Sequence, residues 1–198
     1  MVVVSKLTSS FNFCKQMFRT RLLLSNTVST MVLLGVGDAI TQYIEIKLTN
    51  KSNHNLTLDS HSFFQNYDLI RTVKVTSVGF LTGPFGHYWY LFLDKKYPFK
   101  TGKSILSKIL CDQLIAAPIF NVLFITAIHT LDGKHLRQIY ETFKEKFFTI
   151  YAYDCTIWPA CQMVNFYFVP TVYRLLYVNF ISVIWNALLS FLMFNDID

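Results

Sequence analysis

Apolar positions in this chain fall in long unbroken blocks. Leu22 to Gly37 carries no charged residue, and beyond Asp38 the apolar run continues to Ile44. Val75 to Leu93 and Gln113 to Leu131 are each 19 residues without Asp, Glu, Lys or Arg. Between Cys155 and Asn195 the one charged residue is Arg174, which leaves runs of 19 and 21 residues. A helix rises about 1.5 Å per residue, so about 20 apolar residues cross a hydrocarbon core of about 30 Å. None of the runs alternates in the way a barrel wall does. The pattern predicts an all-α membrane protein: a bundle of four transmembrane helices, with five as the alternative, plus one amphipathic interfacial helix. The spans fall at about 22–44, 68–92, 104–131 and 172–194.

The stretches between the blocks differ in character. Residues 1–21 hold Lys6, Lys15, Arg19 and Arg21, several hydroxyls and no acid. Leu7, Phe11, Cys14 and Phe18 fall on one helical face. That composition suits a mitochondrial targeting segment; the alternative is a positive anchor flanking the first span. Lys47 to Asn66 reads as a polar loop and contains Asn55-Leu56-Thr57, a formal glycosylation acceptor. Asp94 to Lys103 is a short basic turn. In residues 134–152, Leu136, Ile139, Tyr140, Phe143, Phe147, Ile150 and Tyr151 share one arc, opposite Arg137, Glu141, Lys144 and Glu145. This predicts an amphipathic helix, either in the interface plane or packed on the bundle. Residues 155–169 form a further membrane-embedded segment, as a span, a half-buried helix or the end of the amphipathic one.

Composition agrees with this reading. The chain has 198 residues, 53% hydrophobic and 15% charged, against the roughly 25% charged of soluble domains. Too few charges remain to cover a water-facing surface. Nine Lys/Arg fall on one side of a four-span topology and eight on the other, so the positive-inside rule does not set the orientation. No nucleophile elbow, P-loop, GxGxxG or HExxH is present, and an enzyme is not expected. The four cysteines lack CxxC spacing and the five histidines form no cluster, so neither a metal site nor a cofactor is expected.

Polar residues inside spans are costly and mark bundle contacts or solute paths. Asp38, Gln42 and Glu45 recur on one face of the first helix, and Arg71 and Lys74 begin the second. A four-span chain would bring Asp38 together with Arg71, Lys74 or Arg174. A five-span chain would place Arg174 at the opposite end, near Lys108 and Asp112, which can also pair with each other. Gly79 and Gly83 form a GxxxG pair for close helix packing. Pro84 follows, then His87-Tyr88-Trp89-Tyr90 as an aromatic belt. Pro118, Pro159 and Pro170 add expected kinks or breaks.

Several of these residues carry a resemblance. Gly37-Asp38-Ala39-Ile40-Thr41-Gln42, Arg71, Gly83-Pro84 with His87-Tyr88-Trp89-Tyr90, and Asp112-Gln113 with Pro118 resemble motifs of the family of Mpv-seventeen and peroxisomal membrane protein two. So do Trp158-Pro159, Gln162, Asn165-Phe166, Val169-Pro170, Arg174, Trp185-Asn186 and Leu189-Ser190. The resemblance runs from about residue 22 to 194, and GPFGHYWYLFLDKKYP is most similar to the Mpv-seventeen-like-protein-two branch. It implies a small mitochondrial inner-membrane protein, with the peroxisomal membrane as alternative. The basic N-terminus favours the mitochondrion.

Two functions follow as expectations. The first is support of mitochondrial ribosome assembly and translation, with the ribosomal subunit (protein or RNA) and the lipid bilayer as partners. The second is a channel or carrier for small solutes. Its pore candidates, which on the simpler reading lock the helices together, are Asp38, Gln42, Arg71, Lys74, His87, Asp112, Gln113, Gln162, Asn165, Arg174 and Asn186. No small-molecule substrate is identifiable, and the GxxxG pair leaves a homo-oligomer open.

Overall fold

The computed structural model describes residues 16–18, 20–52 and 65–195, with side chains left undescribed at 50–52, 142, 145, 146 and 189–195. Most of the basic N-terminal segment and the Asn55 triplet lie outside the described residues. Among the described residues there is no strand. Among these residues five helical rods run back and forth along one bundle. The first is α1 (Leu22–Ser52) and the second α2 (Leu69–Lys96). The third is composite: α3 (Gly102–Cys111), a π-helical segment (Asp112–Ala116) and α4 (Ala117–Leu131). Then come α5 (Leu136–Phe168), a 3₁₀ turn (Thr171–Tyr173) and α6 (Arg174–Asn195).

Local chemistry sets the ends of these rods. Asp68 caps α2 by accepting from the Arg71 N–H, and Thr101 caps α3 by accepting from the Ser104 N–H. His135 and Gln138 form a reciprocal capping box at the start of α5. The expected proline breaks divide into two kinds. Pro84 and Pro159 sit inside continuous helices, whereas Pro170 separates α5 from the 3₁₀ turn. Pro118 lies just past the π segment. It offers no N–H to the carbonyl four residues back and its ring crowds that carbonyl, so the preceding turn widens.

Two elements differ from expectation. α1 runs on to Ser52, through the start of the stretch expected to be a polar loop from Lys47. Residues 134–152 and 155–169 are not two pieces: they form the single 33-residue helix α5. No glycine interrupts the join around Tyr151–Cys155, and the helix passes through Pro159. At about 1.5 Å per residue it is some 50 Å long, enough to return along the whole bundle. Its polar half keeps the expected faces in part: Ile139 is buried, Phe143, Phe147 and Tyr151 stack along one side, and Arg137, Glu141 and Lys144 are exposed.

The return of α5 decides where α6 begins. α6 starts beside the end of α2, at the end of the bundle opposite Asp38. Arg174 therefore meets Asp94 and not Asp38: it leaves the cluster expected of four spans and lies at the end expected of five, while Arg71 takes its expected place beside Asp38. α1 packs mainly on α2, antiparallel, and on α6, parallel. Gly79 and Gly83 make the α1–α2 approach close: a Cβ at Gly79 would lie 2.7 Å from Met31 Cα, and one at Gly83 2.8 Å from Thr27 Cα. Gly35 does the same from the α1 side against Thr76.

Burial is inverted relative to a water-soluble protein. Among the described residues sixteen polar or charged side chains are buried against nine hydrophobic ones. Leu106, Leu110, Leu114, Ile115, Ile119 and Val122 line the outside of the third rod. That arrangement is stable where the surrounding solvent is hydrocarbon. Two described helices, Leu22–Thr49 and Gly102–Leu131, are long and apolar enough to cross a membrane.

Candidate functional site: a layered polar interior

The buried polar groups form three layers along the bundle axis. The first joins α1 to the start of α2. Arg71 Nε lies 2.9 Å from Asp38 Oδ1, and its Nη1 lies 2.7 Å from Glu45 Oε2. Gln42 Nε2 donates to Asp38 Oδ2 at 2.8 Å and to the Asp68 carbonyl at 3.0 Å, while Gln42 Oε1 accepts from the Asp68 N–H at 2.8 Å. The Thr72 hydroxyl donates to Asp38 Oδ2 at 2.6 Å. The i, i+4, i+7 spacing of Asp38, Gln42 and Glu45 turns all three toward α2. Lys74 does not join this network; it pairs at 2.7 Å with Asp132, in the turn after α4.

The middle layer is built on the π segment. Its wide turn brings the adjacent residues Asp112 and Gln113 both inward. Trp89 Nε1 donates to Asp112 Oδ1 at 2.8 Å, and Gln162 Nε2 donates to Asp112 Oδ2 at 2.6 Å. Asn165, fully buried, donates to Gln162 Oε1 at 2.9 Å. Gln113 Nε2 donates to Cys155 Sγ at 3.3 Å, and its carbonyl accepts from the Tyr151 hydroxyl. Asp154 of α5 accepts from Asn121 Nδ2 at 2.9 Å.

The third layer closes the opposite end. Asp94 holds both Lys108, at 2.6 Å, and Arg174. The Lys108 ammonium lies 5.6 Å and the Arg174 guanidinium 5.4 Å from the centre of the Phe166 ring. Leu93 and Phe166 are completely or almost completely buried beside them. The expected pairing of Lys108 with Asp112 is not made, because Lys108 turns to Asp94. His87 sits between α1 and α2, its Nδ1 3.0 Å from Asn26 Nδ2.

Two cavities occupy the interior. An outer one of about 510 Å³ is lined by Asp38, Thr41, Arg71, Lys74 and Asp132 and reaches the surface at Asp68. An inner one of about 280 Å³ is lined by Asp112, Gln113, Asn121, Asp154 and Gln162. Leu34, Phe124 and Asn186 line both, so the cavities adjoin there.

Thus Asp38, Arg71, Lys74, Asp112, Gln113, Gln162 and Asn186 line these two cavities, while Gln42, His87, Asn165 and Arg174 line neither. Sequence reasoning left out Asp154, Asn121 and Phe124. Asp154 is legible as a lone acid beside an apolar run, but it falls in the gap between the amphipathic stretch 134–152 and the embedded segment 155–169. Lys74 raises the acidity of Asp132: its hydrogen bond to the carboxylate, outweighing burial, holds the Asp132 carboxyl below the usual range.

Together, outward apolar faces and an inward polar stack define a polytopic helical membrane protein. Residues 129–190 match the Mpv17 / PMP22 family. Protein SYM1 of Kluyveromyces lactis is 34% identical over 172 residues, 85% of this chain and 81% of the relative. The mitochondrial inner membrane protein Mpv17 of Xenopus laevis is 38% identical over 160 residues, 80% and 82% of the two chains. PXMP2/4 family protein 4 of Dictyostelium discoideum is 30% identical over 167 residues, 84% and 83%. The chain belongs to the Mpv17 / PMP22 family. Its location is the mitochondrial inner membrane, which the names of the Xenopus laevis and Danio rerio relatives state, while the PXMP2/4 names fit the peroxisomal alternative. No solved structure matches the chain.

Proposed function

We propose that the chain is a gated pathway for small polar solutes across the inner membrane, with all five rods crossing the bilayer. The observation that carries this reading is the pair of adjoining cavities. Polar groups lead from Asp38 and Arg71 at one end to Asp112 and Gln162 in the middle. Beyond Gln162 the way is shut by Phe166, Leu93 and the Asp94–Lys108–Arg174 cluster. Buried polar groups at mid-depth, reached from one end and sealed at the other, suit a gated channel or a carrier. No catalytic step and no cofactor belong to this reading.

The test is reconstitution of the purified chain in planar bilayers and in solute-loaded vesicles. Conductance or flux is expected, lowered or altered in selectivity by Asp38→Asn and raised by Arg174→Gln, which loosens the closed end. No current and no flux, or neither variant having an effect, would refute it.

A second reading, support of mitochondrial ribosome assembly and translation, rests on the resemblance of the Gly83–Pro98 run to one branch of the family. That run leads into an exposed basic turn of Lys95, Lys96 and Lys100, suited to RNA or an acidic protein face. Sedimentation of detergent-solubilised mitochondria decides it: no co-migration with the large ribosomal subunit, together with normal translation after loss of the chain, would reject it.

A further inference from the structure

The inner cavity contains two carboxylates and no countercharge. Asp112 enters from the π segment at 8% exposure and Asp154 from α5 at 5%. No Lys, Arg or His lines the cavity, and the Lys108 and Arg174 cations are both committed to Asp94. Every group that reaches the two carboxylates is a neutral donor. Trp89 and Gln162 serve Asp112, at 2.8 Å and 2.6 Å. Asn121 serves Asp154 at 2.9 Å, and Trp158 and Trp185 line the same cavity. An indole N–H donates and cannot accept, so these partners suit an ionised carboxylate, which is acceptor-only. A buried charge persists when it is hydrogen-bonded and paired. The chain supplies the hydrogen bonds but not the pairing charge.

The walls supply the rest of a recognition site for a cation. Tyr90, Phe120, Phe124 and Trp158 line the same cavity, and aromatic faces attract ammonium groups. At about 280 Å³ the space is near the lower limit of ligand pockets, room for a small organic ion rather than a nucleotide. The geometry points to a binding site for a small organic ammonium ion between Asp112 and Asp154. This deepens the pathway reading, on which it rests for access, by naming the charge class of solute held at mid-depth.

The full chain, purified in detergent, is titrated with tetramethylammonium and with 1,4-diaminobutane by calorimetry and thermal unfolding. Neopentanol and 1,4-butanediol serve as neutral counterparts of similar shape, at matched ionic strength. The ammonium ions should bind saturably and raise the unfolding temperature, and the neutral compounds should do neither. Asp112→Asn and Asp154→Asn should each weaken ammonium binding at least tenfold, while Glu141→Gln, on the exposed face of α5, should leave it unchanged. Absence of binding, equal binding of the neutral compounds, or unaltered affinity in both inner variants overturns the assignment. If the Asn variants fail to fold, the wild-type preference for tetramethylammonium over neopentanol decides alone. A chain that carries current in bilayers but shows no such preference keeps the pathway and loses this site. One that binds ammonium but passes neither current nor flux keeps the site and loses the pathway.

Discussion

Replacing Gly79 with alanine tests the α1–α2 contact on which the first polar layer depends. The added Cβ would stand 2.7 Å from Met31 Cα, 2.8 Å from its N and 2.9 Å from its Cγ. Two of these atoms are backbone and cannot rotate away. To reach ordinary contact the helices must part by about 0.7 Å, and a gap of that size forfeits roughly a quarter to a half of each dispersion contact along the seam. The same displacement stretches the Gln42–Asp68 bonds, now 2.8 Å and 3.0 Å, toward the limit of hydrogen bonding. Overpacking of this kind costs about 1–3 kcal/mol. For a chain of this size that is roughly 2–12 °C of unfolding temperature. Gly102→Ala is the control: nothing lies within 4 Å of its Cβ position, and the residue opens helix α3. It should be neutral, or stabilising by up to about 1 kcal/mol. Tryptophan fluorescence and circular dichroism during heating in one detergent compare the three proteins. If Gly79→Ala unfolds with the wild type, or shifts no further than Gly102→Ala, the close approach of these helices is wrong.

The remaining predictions concern the other layers. Phe124→Ala removes a ring from the junction of the two cavities, so flux in vesicles should rise; unchanged flux would show that the junction is not limiting. Arg174→Gln removes one of the two cations on Asp94 but leaves it paired with Lys108, so the loss should be that of a charged hydrogen bond, about 1.5–3 kcal/mol. A loss under about 1 kcal/mol in denaturant titration would contradict burial of that pair. Lys74 lowers the Asp132 value below that of the unfolded chain, so its stabilisation is present above the ordinary carboxylate range, near pH 4. It fades as pH falls through the folded value. The pair is about a third exposed, so the effect lies at the low end of about 0.2–1 kcal/mol. Asp132→Asn should remove it, which unfolding at pH 6 and at pH 3 (about one pH unit below that range) would read.

What the sequence made legible and what it hid follow from how each signal is encoded. Apolar runs are local, so the membrane character, α1, α2 and the composite third rod could be read directly. The spacing of Asp38, Gln42 and Glu45 is also local, and it correctly pointed all three toward a common neighbour. The partner of Arg174 was not local: it depends on whether residues 136–168 form one helix or two. Charges in the first half and apolar residues in the second conceal that continuity, because each half matches a different template. Asp94 was read as part of a basic turn for the same reason. Its neighbours Lys95 and Lys96 face outward, while Asp94 itself turns in to bind Lys108 and Arg174.

In hydrocarbon the exposed leucines and phenylalanines gain nothing from association, so cohesion must come from close packing and interior polar contacts. The three layers supply it unequally. At the Asp38 end the carboxylates face Arg71, and at the Asp94 end one carboxylate faces two cations. Both ends are therefore locked by charges of opposite sign, and the Phe166 ring adds a further restraint at the closed end. The middle layer is held by neutral donors alone. Removing a donor there costs about one hydrogen bond, whereas parting the closed end separates the buried cations from Asp94, and parting the other end separates buried Asp38 from a part-exposed Arg71. The middle layer is thus the one where an entering solute can exchange with existing partners without unlocking the bundle. On the pathway proposed above, passage beyond it would require the Asp94 cluster to open, with the gate at Arg174 and the solute resting at Asp112 and Asp154.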